Sequence, residues 1–212
     1  MGPDVSQIAT TITAAPFGPP RVTEEAWRRR MIIGISGASG IVFGMTALRT
    51  LRALGYETHL VMSRSARQAL VHEGPYEAQE IEALADVVHQ FGDIGASISS
   101  GSFRTRGMLV APCSIRSLSE IAYGTTSNLL TRSADVILKE RRRLVLMVRE
   151  TPLHLGHLRA MTMVTEAGGI IMPPVPAFYP RPETLEDMIN HTVGRALDLF
   201  DIDCANFPRW GE

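Results

Sequence analysis

From Met31 onward, short apolar runs alternate with stretches of helical spacing. Residues 31–36 are an apolar run ending on a small polar residue, as a strand covered on both faces does. Residues 41–54 then place Val42, Met45, Leu48 and Leu51 on one helical face and stop at Gly55. Residues 57–62 are predicted as the second strand, with Ser63 capping a helix that reaches His72. Residues 75–98 are acidic and only half helical, an excursion near the sheet edge. The third strand is predicted over 107–111 and broken by Pro112, with helices over 114–123 and 128–141. A fourth strand over 144–148, a helix over 157–167, a fifth strand over 169–172, a Pro-rich loop and a helix over 184–200 complete the pattern.

That alternation implies an α/β domain with a doubly wound, Rossmann-like parallel sheet. At 212 residues and 45% hydrophobic, the chain supports a single well-buried domain, assigned to residues 30–203. Residues 1–29 read differently: a small, polar, Pro-ended stretch is followed by Arg28-Arg29-Arg30, without the apolar core of a signal peptide. They are expected to be a tail, either flexible or ordered against a neighbouring subunit, and residues 204–212 a second tail.

Composition then narrows the function. Lys and Arg number 21 against 22 Asp and Glu, for a net charge of −1, so no nucleic-acid or anionic-membrane footprint exists. No apolar run reaches the roughly 18 residues of a spanning helix. The only two cysteines, Cys113 and Cys204, argue against a disulfide framework and fit a reducing cytoplasm.

Ligands of open α/β sheets bind outside the carboxyl ends of the strands, and the distinctive polar residues collect there. The first strand empties into Ser36-Gly37-Ala38-Ser39-Gly40, the second into Ser63, the third into Pro112-Cys113-Ser114, the fourth into Arg149-Glu150. The fifth runs toward Pro176-Ala177-Phe178-Tyr179. The Gly-Ala-Ser-Gly turn either brings backbone N–H groups to a phosphate or merely tightens a strand-to-helix turn. It is not a G-x-G-x-x-G fingerprint and no ribose-binding acid follows the second strand, which disfavours NAD. Ser63 and Ser114 are helix caps, with or without a ligand as well. Arg149-Glu150 is best read as an anion clamp beside a proton-transfer carboxylate. Lys139 falls in a basic helix end, where such runs ordinarily offset the dipole. His154 and His157 share a helical face without a third metal ligand, and Cys113 lacks a paired base.

Six ordered segments resemble one family, the UbiX-type flavin prenyltransferases, including the B subunits of non-oxidative phenolic-acid decarboxylases. They are Gly34-Ile35-Ser36-Gly37-Ala38-Ser39-Gly40, the Ser97-Ile98-Ser99-Ser100-Gly101-Ser102-Phe103-Arg104-Thr105 stretch, Pro112-Cys113-Ser114, the segment from Arg132 to Glu140, Arg149-Glu150-Thr151-Pro152-Leu153 and Pro176-Ala177-Phe178-Tyr179. The likeness spans residues 31–203. This chain has Val148 where the family has proline, and Ile94 where some members carry tryptophan.

The resemblance implies a flavoprotein-type fold and a metal-independent transfer. A dimethylallyl group passes from dimethylallyl monophosphate to N5 and C6 of reduced FMN, and the prenylated FMN product serves a UbiD-type decarboxylase. It implies FMN contacts at Gly37, Ala38, Ser39, Ser63, Ser114, Ile115, Arg116, Ser117 and Arg149. Donor-phosphate contacts would be Lys139, Arg149, Tyr179 and Arg195, with Ser100 and Gly101 nearby. Glu150, Lys139, Glu73 and Ser39 would carry the catalysis, and dodecamers built of trimers would place the sites between subunits. Two other readings are a non-catalytic FMN carrier for a decarboxylase and an FMN-dependent cysteine decarboxylase.

Overall fold

Strands that are apolar on both faces need cover on both. In the computed structural model, which describes residues 23–204, helices supply that cover on each side of a six-stranded parallel sheet. The strands are β1 (Arg30–Ile35), β2 (Glu57–Met62), β3 (Val87–His89), β4 (Gly107–Cys113), β5 (Arg143–Val148) and β6 (Ile170–Ile171). Their spatial order is β3-β2-β1-β4-β5-β6, so the direction of winding reverses between β1 and β4. A crevice opens at the carboxyl ends of such a pair.

One face is covered by α2 (Ile41–Ala53), α3 (Arg64–Glu73), α4 (Ala78–Glu82) and α8 (Leu185–Asp198), which bury Met45, Leu48, Leu70 and Leu197 with Ile33, Leu60 and Leu109. The other is covered by α5 (Ile115–Ala122), α6 (Leu129–Lys139) and α7 (Leu155–Glu166), which bury Leu118, Leu130, Ile137 and Val164 with Ile32, Val110 and Leu146. The helix α2 lies hard against β4: a Cβ added at Gly44 would stand 2.4 Å from the Ala111 carbonyl oxygen.

Four details differ from the sequence expectations. A sixth strand, β3, pairs with β2 inside the acidic excursion; it is three residues long and mostly exposed, so no hydrophobic alternation betrays it. The third strand runs through Pro112 to Cys113. Proline lacks the N–H, so the ladder to β5 shifts register between Val110 and Cys113 instead of ending. The helix α7 begins at Leu155, two residues early, because the His154 ring accepts a hydrogen bond from Gly156 N and caps it. Residues 24–28, assigned to the tail, form the short helix α1 (Glu24–Arg28), whose first turn is capped by Thr23. Residues 1–22 and 205–212 lie outside the described residues.

The contact at Gly44 makes a simple prediction. Gly44→Ala forces α2 away from β4 and lowers unfolding free energy by about 1–3 kcal/mol, read from the urea midpoint. An unchanged midpoint would contradict so close an approach.

Candidate functional site

At the reversal point the ends of β1 and β4 are tied by one buried hydroxyl. Ser36 Oγ donates to the Pro112 carbonyl (3.0 Å) and accepts from Ser114 N (2.7 Å), while Ser36 N donates to the same carbonyl (3.1 Å). The chain then turns through Gly37, where a Cβ would fall 2.4 Å from Ser65 Oγ. Only glycine fits between the first turn and α3. Glu73, at the end of α3, reaches back to accept from Gly40 N (2.9 Å) and Ile41 N (3.0 Å). A carboxylate thus meets the positive end of α2, using N–H groups that the sequence offers to a phosphate. Its charge sits beside Ser39.

The next two strand ends are capped as expected. Ser63 Oγ accepts from Ala66 N (3.0 Å) and lies 3.1 Å from Ser65 Oγ. Ser114 Oγ accepts from Ser117 N (3.3 Å) and donates to Ser117 Oγ (3.2 Å). At the end of β5, Arg149 N donates to the Cys113 carbonyl (3.1 Å), leaving the Arg149 and Glu150 side chains exposed at the rim.

Two adjoining cavities result. One, of about 480 Å³, runs between the Gly37-Ala38-Ser39 turn, the Ser114-Ile115-Arg116 turn and the Arg149-Glu150 pair. The other, of about 410 Å³, is lined by Ser63, Ser65, Gln68, Phe91, Ser117 and Asn128, among others. Ser65, Ser114 and Arg116 border both, so they form one continuous depression. Glu120 braces its floor, accepting from Arg116 Nε, Ser127 Oγ and Asn128 Nδ2, each at 2.9 Å. Burial pulls its pKa upward, but these bonds and the Arg116 charge together hold it below the usual carboxylate value.

Sequence reasoning missed Ser65, Gln68, Phe91, Glu120 and Asn128. Ser65 and Asn128 carried a signal, one lying two residues past a helix cap and the other being a cap itself. Phe91 and Gln68 carried none.

The protomer does not gather every expected residue. Lys139 stands at the end of α6, ion-paired with Glu140. Gly101 is packed against it: a Cβ there would lie 2.8 Å from Lys139 Nζ, and Arg142 donates to the Gly101 carbonyl (2.6 Å). Ser100 adjoins them. This group sits at the start of β5, whereas Arg149 follows its end, about 20 Å away at the rise of a strand. Tyr179 and Arg195 form a third group against α8: Tyr179 OH lies 3.1 Å from His191 Nε2, and Arg195 pairs with Asp198 (2.7 Å). One protomer therefore assembles Gly37, Ala38, Ser39, Ser63, Glu73, residues 114–117, Arg149 and Glu150. Lys139, Ser100 and Gly101 lie beyond the other end of β5, and Tyr179 and Arg195, against α8, do not line either cavity.

Burial pushes the Cys113 thiol up to about 12, so it packs as a neutral side chain. Among the described residues, no group of His, Cys, Asp and Glu is placed to hold a metal. Nor is any described helix long and apolar enough to cross a membrane.

Known proteins match this architecture closely. Residues 20–193 match the family described as Flavoprotein. The flavin prenyltransferase UbiX of Escherichia coli K12 is 59% identical over 185 residues, covering 86% of this chain and 98% of that protein. The crystal structure of AnUbiX (PadA1) with FMN and dimethylallyl pyrophosphate superposes with a TM-score of 0.86 at 51% identity, over 87% of this chain and 98% of that one. A dodecameric FMN-dependent UbiX-like decarboxylase from Escherichia coli O157:H7 gives 0.84 at 45% identity, over 86% and 100%.

The Ser36 tie can be tested directly. Ser36→Ala leaves Ser114 N and the Pro112 carbonyl each short of a partner, at a cost of about 1–3 kcal/mol. Equilibrium denaturation should show that loss, and Ser36→Thr, which keeps the hydroxyl, should lose less.

Proposed function

The chain belongs to the flavoprotein family and, within it, to the UbiX-type flavin prenyltransferases, and on that footing we propose that it transfers a dimethylallyl group from dimethylallyl monophosphate to N5 and C6 of reduced FMN. The observation that carries this reading is the continuous depression at the reversal of the sheet. Its residues fit FMN. Gly37 presents bare backbone, the Ser63, Ser65, Ser114 and Ser117 hydroxyls with the Arg116 and Arg149 guanidiniums suit a phosphate and a polar ring edge, and Phe91 and Ile115 offer apolar walls.

The donor site is completed by other copies of the chain. Lys139, Ser100 and Gly101 come from a second protomer, and Tyr179 and Arg195 from a third, to meet Arg149 of the first. Their separation in one protomer and the exposure of Lys139, Tyr179 and Arg195 support this arrangement, as does the dodecameric state of the UbiX-like relative. The chain is proposed to form a dodecamer of the same kind.

Reduced flavin supplies the electron-rich ring that accepts the allyl carbon. The protein's own residues do the rest. Lys139, Arg149 and Arg195 surround the donor phosphate with positive charge, doing the work that a metal ion does in related chemistry, so that the C–O bond breaks with the electrons leaving on phosphate. Tyr179 donates a hydrogen bond to it. Glu150, beside Arg149, delivers a proton to the departing phosphate. Ser39 and the Glu73 carboxylate next to it take the proton that N5 loses as the first bond forms, and move the proton lost at C6 to the alkene carbon whose double bond is consumed in closing the ring. Exclusion of water keeps the allylic carbon from being captured. The prenylated FMN passes to a UbiD-type decarboxylase, and the two reduced, buried cysteines suit a cytoplasmic enzyme.

The test is anaerobic incubation of the protein with reduced FMN and dimethylallyl monophosphate, with the pyrophosphate run in parallel, followed by mass spectrometry of the flavin. A flavin heavier by one dimethylallyl unit is expected. Glu150→Gln and Lys139→Ala should each slow its appearance by about 100-fold or more while FMN still binds. Unaltered flavin mass with the wild-type protein would instead identify a flavin carrier.

A further inference from the structure

Phe91 and Gly92 line the smaller cavity, yet they belong to the excursion between β3 and β4 and not to the sheet. Between Phe91 and Phe103 that excursion is tied to the rest of the fold by Leu129 N to the Phe91 carbonyl (2.9 Å), Arg132 to Ser99, and Arg142 to Gly101 and Phe103. At its root lies a polar cluster that the transfer chemistry does not use. His59 of β2, only 3% exposed, places Nδ1 2.9 Å from His89 Nε2 and Nε2 2.8 Å from Glu57 Oε1. Phe103 meets the His59 ring edge-on at 5.1 Å, and Arg30 of β1 both donates to Glu57 (2.9 Å) and lies 4.3 Å over Phe103. The charges facing the two rings are thus Glu57 on β2, Arg30 on β1, Asp86 before β3 and Asp93 after it.

We propose that His59 and His89 form a proton-sensitive clasp that positions the Phe91-Gly92 wall of the flavin cavity, so that His89 is a positioning residue for flavin binding. The inference rests on the flavin reading above.

Hydrogen-bond chemistry defines the clasp. Burial works against ionisation of Glu57, but its bonds to Arg30 and His59 hold it ionised, so it only accepts. His59 Nε2 therefore carries a hydrogen and its Nδ1 a lone pair, which His89 Nε2–H fills. One extra proton is tolerated: it settles on His59 Nδ1, and His89 shifts its own hydrogen to Nδ1 and accepts at Nε2. A second proton leaves two N–H groups 2.9 Å apart, both rings charged, and the clasp opens. Burial lowers the pKa of both rings, opposed at His59 by Glu57 and reinforced at His89 by the His59 charge. A histidine depressed in this way is fully compatible with the closed state above its unfolded value of about 6.5, and disfavours that state increasingly as pH falls below it.

The experiment titrates oxidised FMN into the full-length protein and into His89→Gln from about pH 8 to about pH 5.5. A glutamine amide reaches the same point, donates or accepts by turning, and never charges. The phosphate of FMN titrates in the same range, so the clasp is read as the difference between the two proteins. Affinities within about twofold at the upper pH are expected, with the variant at least about fivefold tighter at the lower. Far-UV circular dichroism should stay the same in both. Parallel profiles would overturn the clasp while leaving the flavin reading intact; no FMN binding by the wild type at any pH would overturn both. Should His89→Gln fail to fold, His59→Gln is expected to flatten the profile likewise, and parallel profiles there would overturn the clasp equally.

Discussion

Everything at the candidate site depends on how two strands of opposite winding are held side by side where they end. β1 and β4 diverge into separate crossovers, their paired register ending at Gly34 and Val110 with one further backbone bond, Ser36 N to the Pro112 carbonyl. Ser36 closes that gap with a single hydroxyl that both donates and accepts, from a position with no solvent exposure. The Ser114 N–H gains its acceptor and the Pro112 carbonyl, which also accepts from Ser36 N, gains a second donor, which avoids a penalty of roughly 1–3 kcal/mol for an N–H otherwise left unpaired. Gly37 and Ser114 leave from this knot in different directions, and the depression lies between them.

The helix ends around the depression are used unequally. Ser63 and Ser114 cap α3 and α5 with neutral hydroxyls, leaving hydroxyl oxygens at the cavity wall. The start of α2 is closed by a full negative charge from Glu73. A free phosphate and that carboxylate would repel each other at the same N–H groups, so an anionic ligand is steered toward the Ser63, Arg116 and Arg149 side. The proton-handling chemistry proposed for Ser39 and Glu73 stays, in contrast, at the start of α2.

The sequence announced the strand ends because two signals coincide there: apolar runs stop, and small polar residues such as Ser36, Gly37, Ser63 and Ser114 meet the local geometry of the turns and caps. The excursion was opaque for the opposite reason. β3 is an exposed edge of three residues, and Phe91 reaches the cavity through a loop in which its carbonyl is held by Leu129 N, a partner thirty-eight residues away. Lys139 looked like ordinary compensation of a helix dipole, and within one protomer it is that, paired to Glu140. Only the family likeness singled it out. Spacing along one chain cannot report residues whose shared target, in the proposed assembly, lies between copies.

That distribution of cations has a physical logic. Three positive side chains aimed at one empty point in a single protomer would repel one another in every folded molecule, ligand or not. Here two of the three are instead neutralised at home: Lys139 by Glu140, and Arg195 by Asp198. Arg149 remains at the solvent-exposed rim, where water screens it. Folding therefore carries little of the electrostatic cost of a phosphate site. In the proposed assembly the cost is met where protomers and the donor phosphate come together, and there the phosphate's own charge offsets it. A site built this way is strongest for the dianion it must bind and weakest when empty, the differential that expulsion of a phosphate leaving group requires.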